Sequence, residues 1–179
     1  MELTELQSWL KAGRRGPLWL PREGNRRVAI GPDEIKRILP HRDPFLFIDS
    51  ITDIDLTENC ICGQRRIDSA DPVFVGHFPG EPIYPGVLQL ETMGQLGLCL
   101  LHFSRTRSDQ VAEGATPRRI RALRIHHAFF LAEVSPGDEL QVIATLVRSD
   151  DYTAICAGQL LKAGAVCAFA VMEVYFVDE

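Results

Sequence analysis

One run constrains this chain more than any other: "VLQLETMGQLGLCLLHF", Val87 to Phe103. Wound at 3.6 residues per turn it is apolar on nearly all sides, which marks a helix enclosed by other structure. Its length approaches that of a membrane span, but Gln89, Glu91 and Gln95 interrupt it, and a charge in mid-bilayer is costly. Burial within protein is the better reading. The remainder of the chain must then provide something that wraps a helix.

Strands provide it. Phe45–Ile51, Cys60–Ile67, Ile120–Phe130, Glu139–Arg148, Tyr152–Leu161 and Ala165–Val177 read as strands bounded by turn signals. Lys162, Ala163 and Gly164 join the last two as a hairpin, and Ser135–Asp138 and Ser149–Asp151 supply two further turns. One long helix, from near Pro85 and Gly86 to near His102, with six long and mostly antiparallel strands predicts an α+β layout, a sheet curled around the helix. Upstream, "GPDEIKRILPHRDP" opens with Pro32 and Asp33, carries Ile35, Ile38 and Leu39 at helical spacing and stops before Pro40, so it predicts a helix of two turns.

Residues 1–30 stand apart from residues 31–179. A short amphipathic helix around Leu3–Leu10 precedes "RRGPLWLPREGNRR", and this extension is expected to pack on the surface or to reach a partner. At 179 residues the chain is about one domain long, enough to bury a core without disulfides or metals. The net charge of −5 argues against a nucleic-acid binder. The start, "MELTELQSWLKAGRRG", has no apolar h-region, so it is not a secretory signal, and a cytoplasmic location is expected. The five cysteines are odd in number, form no C-x-x-C pair and sit among apolar neighbours, so they are expected to be reduced core residues, with no zinc-ligand spacing.

The chemistry concentrates in "GHFPGEPIYPGVLQLETMGQ", residues 76–95. Glu91 and Gln95 are four apart and share one face of the helix. A carboxyl in an apolar setting holds its proton more readily, which makes Glu91 a candidate proton donor. His77 sits on a loop stiffened by Pro79, Pro82 and Pro85, and imidazole is the group best matched to taking a proton near neutral pH. Gly86 opens the helix, where unpaired N–H groups and the positive end of the macrodipole could stabilise an enolate oxygen brought close by the missing side chain. Each residue also has a plainer role: a structural loop histidine, a buried acid satisfied by backbone donors, a helix start.

Two blocks, "LPHRDPFLFID" at 39–49 and "GHFPGEPIYPGVLQLETMGQ" at 76–95, closely resemble the β-hydroxyacyl-acyl-carrier-protein dehydratases of bacterial fatty-acid synthesis, with a weaker match in "HHAFFLAEVSPGDEL" at 126–140. The resemblance spans roughly residues 31–179. It implies a hotdog fold, in which an antiparallel sheet wraps a long central helix. It also implies that His77 takes the proton alpha to a thioester, that Glu91 handles the leaving hydroxyl, and that Gly86 is the oxyanion donor. Gln95 matches a glutamine that supports the carboxyl, and Val87 follows Gly86 in the tunnel wall. By the same resemblance the protein is a homodimer, or a trimer of dimers, with His77 of one subunit facing Glu91 of the other. An acyl carrier protein would deliver the chain on phosphopantetheine, with no metal or organic cofactor and no membrane insertion. Glutamate at 91 favours the dehydratase-only branch, and Asp43 stands where relatives usually have an aromatic residue.

His41 and Arg42 are expected to fix the local fold. Arg118, Arg119, Arg121 and Arg124 form a basic cluster that is either a solvated face or a dock for an acidic carrier protein. Two other readings compete: a hotdog thioesterase, which would not need the His-Phe-Pro-Gly loop, and a non-catalytic acyl-binding or assembly subunit, which would tolerate loss of His77 or Glu91.

Overall fold

A computed structural model describes residues 3–22 and 26–177 of the chain. Its elements in order are α1 (Leu3–Gly13), β1 (Arg26–Ile30), α2 (Pro32–Ile38), β2 (Ser50–Asp55), β3 (Cys60–Arg66), a 3-10 turn (Pro72–Val75), α3 (Gly86–Thr106), β4 (Ile120–Phe130), β5 (Glu139–Ser149), β6 (Thr153–Lys162) and β7 (Ala165–Phe176). The strands form one antiparallel sheet in the order β1-β2-β3-β5-β6-β7-β4. The α+β layout expected from the sequence is therefore present.

The concave face of the sheet holds α3. Leu96, Cys99, Leu100 and Phe103 are fully buried there, packed with Ile51 and Ile61 from the β2–β3 side and with Val142, Leu160 and Ala170 from the other strands. The approach is close at β6, where a Cβ added to Gly158 would lie 2.7 Å from the Met93 Cβ. Glycine lets strand and helix meet at that distance.

The sequence places six strands in the sheet; the structure has seven. The additional one, β1, falls within the segment set apart as an extension, and it pairs with β2 from Arg26↔Ile54 to Ile30↔Ile51. The Phe45–Ile51 segment also starts its strand late, at Ser50. Its first residues are held by a side chain instead of a neighbouring strand: Gln95 of α3 accepts from the Phe47 N–H (2.7 Å) and donates to the Phe45 carbonyl (2.8 Å). At the other end α3 runs to Thr106, four residues beyond the expected stop, and closes on Arg107 in the left-handed conformation (φ 50°).

The outer face of the sheet is covered too. Leu6, Trp9 and Leu10 of α1, with Leu18 after it, pack on Ile155, Ala157, Phe169 and Val171 of β6 and β7. Gln159 of β6, wholly buried, fastens this cover: its Nε2 donates to the carbonyls of Gly13 (2.7 Å) and Gly16 (3.0 Å), and its Oε1 accepts from the Leu18 N–H (2.7 Å). An amide inside an apolar layer is tolerated because all three bonds are made. Trp19 continues the cover onto Cys60, Cys62, Ile143 and Leu161.

All five cysteines are free and buried, as the sequence leads one to expect. Burial pushes the Cys60 thiol up to about 11 and that of Cys156 up to about 12, so neither is a nucleophile at neutral pH. Among the described residues no helix is long and apolar enough to cross a membrane.

Candidate active site

The loop that carries His77 is tied to itself. The Asp71 carboxylate accepts from the Val73 N–H and starts the 3-10 turn, the His77 N–H bonds the Val73 carbonyl (3.0 Å), and the Ile83 N–H bonds the His77 carbonyl (3.0 Å). The imidazole is held by its Nδ1, 2.8 Å from the Ile83 carbonyl oxygen. A carbonyl can only accept, so Nδ1 carries the proton and the lone pair of the neutral ring is on Nε2. The loop thus fixes both the direction and the tautomer of a base.

Glu91 lies on the face of α3 that the sheet does not cover. One of its oxygens, Oε1, accepts from Gln95 Nε2 at 2.9 Å and lies 3.3 Å from His41 Nε2. The orientation of the Gln95 amide follows from its other partners. The Phe47 N–H can only donate, so the Gln95 oxygen must face it, and both hydrogens of Nε2 are then directed at the Phe45 carbonyl and at Glu91. Gln95, given a supporting role by the family resemblance, thus donates directly to the Glu91 carboxyl.

His41 is brought to the site as well, beyond the local role read for it. Burial lowers its basicity, with the Glu91 carboxylate acting in the opposite sense and Arg42 in the same one. Nothing in "LPHR" on its own signals this contact, since Glu91 is fifty residues away. Arg42 does fix the local fold, donating to the carbonyls of Leu39 (2.9 Å) and His41 (2.7 Å).

At the start of α3, Leu88 and Gln89 both donate to the Pro85 carbonyl (3.0 and 3.1 Å). The N–H groups of Gly86 and Val87 precede the first intrahelical bonds and are left for another acceptor. Directly over Gly86 lies the half-exposed ring of Phe130, whose Cζ would be 2.8 Å from an added Cβ. Any larger residue at 86 would have to displace that ring. Val87 is 71 % exposed.

A groove of about 490 Å³ runs along this open face of α3, between Val87, Glu91, Gly94 and Leu98 on one side and Ile125 and Met172 of the sheet on the other. His41 closes it beside the carboxylate, and Arg118, Arg121 and Arg124 stand along its β4 margin. His126 and Glu173, 2.8 Å apart, pair across β4 and β7, and Glu173 is part of the groove wall. His77 is not. One chain therefore brings Glu91, Gln95, His41 and Val87 together but leaves His77 on its own loop, outside the groove. The desolvation expected for Glu91 is also incomplete in one chain, where its side chain stays 33 % exposed.

A family profile described as the FabA-like domain matches residues 39–170. The chain belongs to the FabA-like family. Among its FabA-like relatives, a protein of Aliarcobacter butzleri and one of Campylobacter jejuni, both named 3-hydroxyacyl-(acyl-carrier-protein) dehydratase FabZ, are each 38% identical over 146 residues, which is 82% of this chain and 97% of theirs. Among solved structures, the dehydratase heterocomplex ApeI:P from Xenorhabdus doucetiae aligns over 86% of this chain and 94% of its own at a TM-score of 0.60 and 18% identity. An HP0420 homologue from Helicobacter felis aligns over 82% and 90% at 0.58 and 8%. At those identities the structural matches speak for the fold alone, the hotdog. This FabA-like chain therefore has the architecture that its sequence resemblance implies.

Proposed function

We propose that the protein eliminates water from 3-hydroxyacyl thioesters carried on acyl carrier protein, giving trans-2-enoyl thioesters in fatty-acid or related acyl-chain biosynthesis. The observation that carries the reading is the Glu91 carboxyl, held by a hydrogen bond from Gln95 and faced by His41 Nε2 at 3.3 Å, in an apolar groove beside the start of α3. The FabZ relatives, which share most of the chain, are named for this activity.

The chemistry runs as follows. The thioester carbonyl accepts from the free N–H groups of Gly86 and Val87, which favours charge on its oxygen. His77 Nε2 takes the proton from Cα, and the C–H electron pair becomes the Cα=Cβ bond. The Cβ–O bond breaks as Glu91 delivers a proton to the departing oxygen, and water leaves. The His77 proton then returns to Glu91 through solvent, restoring both groups. Nothing is oxidised or reduced, so the elimination asks for no cofactor beyond the phosphopantetheine that carries the substrate.

A homodimer, alone or in a trimer of dimers, supplies what one chain lacks. The uncovered face of α3 and the half-exposed Leu123, Ile125 and Phe130 of β4 make one apolar surface around the groove, suited to a second copy whose His77 would reach Glu91. The carrier protein, an acidic partner, would approach over Arg121 and Arg124. Five free cysteines agree with a cytoplasmic, reducing setting.

The test is incubation of the purified protein with 3-hydroxyacyl carrier-protein thioesters of several lengths, followed by mass spectrometry. Loss of water with the thioester intact supports the reading. Release of a free acid would instead indicate a thioesterase, and no change a binding subunit.

A further inference from the structure

The groove beside Glu91 does not end at the carboxylate. Near Leu98 it meets a second cavity of about 330 Å³, and the two share Pro40, Leu98, Arg118 and Ile120 in their walls. This distal chamber follows α3 past Leu101 and His102 to Arg105. Glu91 and His102 are eleven residues apart on one helix, about 16 Å along its axis. An acyl chain with its reacting carbons at Glu91 can extend along α3 into this chamber.

The walls of the chamber are mostly apolar, with polar groups gathered at one end. Leu98, Leu101 and Ile120 suit a run of methylenes, but the far end is polar. His102 is half-buried, meets Phe103 edge-on and makes no side-chain hydrogen bond to any described residue. The guanidinium groups of Arg105 and Arg118 both lie over the Phe176 ring, 3.9 and 4.5 Å from its centre. Among the described residues neither has a carboxylate within ion-pair distance. Arg105 donates to the Asp150 carbonyl (3.4 Å), which leaves the half-buried imidazole of His102 and the exposed guanidinium of Arg118 as the chamber-lining donors with no hydrogen-bond acceptor among the described residues.

We propose that the distal chamber is a specificity subsite for acyl chains that end in a hydrogen-bond-accepting oxygen, a hydroxyl or a carboxylate, instead of a methyl group. The inference rests on the dehydratase reading and names its substrate class. Burial lowers the basicity of His102, and a neutral imidazole can donate to such an oxygen from one nitrogen and accept a hydroxyl proton at the other. A methyl end would strip water from the half-buried His102 and give nothing back, which is the arrangement that discriminates most strongly between substrates.

The experiment compares 3-hydroxyacyl thioesters of one medium length that end in methyl, hydroxyl or carboxylate, together with the 3-hydroxybutyryl thioester, which is too short to pass Leu98. At least one oxygen-ended substrate should exceed the methyl-ended one in kcat/KM by about tenfold or more. His102→Phe and Arg118→Met should each reduce that ratio, which is taken within each variant so that loss of folded protein cancels. A carboxylate preference assigns the main contact to Arg118 and a hydroxyl preference assigns it to His102; both support the subsite. Where a variant fails to fold, the wild-type ratio decides alone. Equal or better turnover of the methyl-ended chain, with 3-hydroxybutyryl still dehydrated, overturns the subsite only. Failure on 3-hydroxybutyryl as well overturns the dehydratase reading and the subsite with it.

Discussion

Replacing Gln95 with leucine should damage stability and catalysis through two separable sets of bonds. Leucine is close to glutamine in volume, so little cavity is left, and the cost comes from orphaned polar groups. The Phe47 N–H is buried and loses its acceptor outright, at ~1–3 kcal/mol; the Phe45 carbonyl is only part-buried and partly regains water, at ~0.5–1.5 kcal/mol. Together they amount to about 2–4 kcal/mol, and a chain of this size shifts by about 2–4 °C per kcal/mol, so Tm should fall by roughly 5–15 °C. The third bond belongs to Glu91, whose carboxyl loses its 2.9 Å donor and its fixed direction. A hydrogen bond to a neutral acid, the form that delivers the proton, is worth ~0.5–1.5 kcal/mol, so kcat, measured well below the variant's Tm, should fall by about two- to tenfold. Thermal unfolding by circular dichroism and steady-state dehydration on the same preparation give both numbers. A Tm within about 2 °C of the parent would mean that the Phe45–Phe47 segment does not depend on this amide, and the account given for its irregular backbone would be wrong.

His77→Ala and Glu91→Gln should each lower kcat by about 10²-fold or more, and the losses should not multiply, because both groups serve one elimination. Mixing the two inactive variants should restore part of the activity; no rescue despite proven subunit exchange would refute a site shared between chains. Deleting residues 1–22 should lower Tm, by uncovering Phe169 and its neighbours, while kcat per folded chain stays near the parent value; abolished turnover in a folded oligomer would assign the extension a chemical role. Burial holds His41 and His102 below their usual 6.5 in the folded chain, so below that pH the unfolded chain binds protons first. Tm should therefore be fully maintained above about pH 6.5 and decline as the pH is lowered towards 5, less steeply in His102→Phe; a profile indifferent to that substitution would contradict the assignment.

The sequence is most legible where a local pattern carries the physics. The apolar run of α3 demands a wrapping sheet, and the spacing of Glu91 and Gln95 by one helical turn places amide beside carboxyl before any coordinate is consulted. β1 escapes notice because it is an edge strand of five residues with exposed arginines, and pairing on one side requires no apolar alternation. Phe45 to Ile48 look like a strand because they are apolar and mostly buried, yet their polar backbone is satisfied by a glutamine about fifty residues away, a partner that periodicity does not encode. His41 is hidden for the same reason. The separation of His77 from Glu91 within one chain is a different matter: their spacing along the sequence does not encode whether the loop reaches the open face of α3.

β6 breaks the rule of alternating faces, since Ala154 to Leu161 are all buried, and the cause is α1 lying on the convex side. This ties two distant stretches of the gene into one inheritance. Without the helix, Ile155, Ala157 and Phe169 would become an adhesive stripe on the outside of every particle; without that stripe, the helix would have nothing to lie on. In related genomes, then, an uninterrupted apolar sixth strand with glutamine at the position of Gln159 should travel with an amphipathic leader, and chains that have shed one should have shed the other.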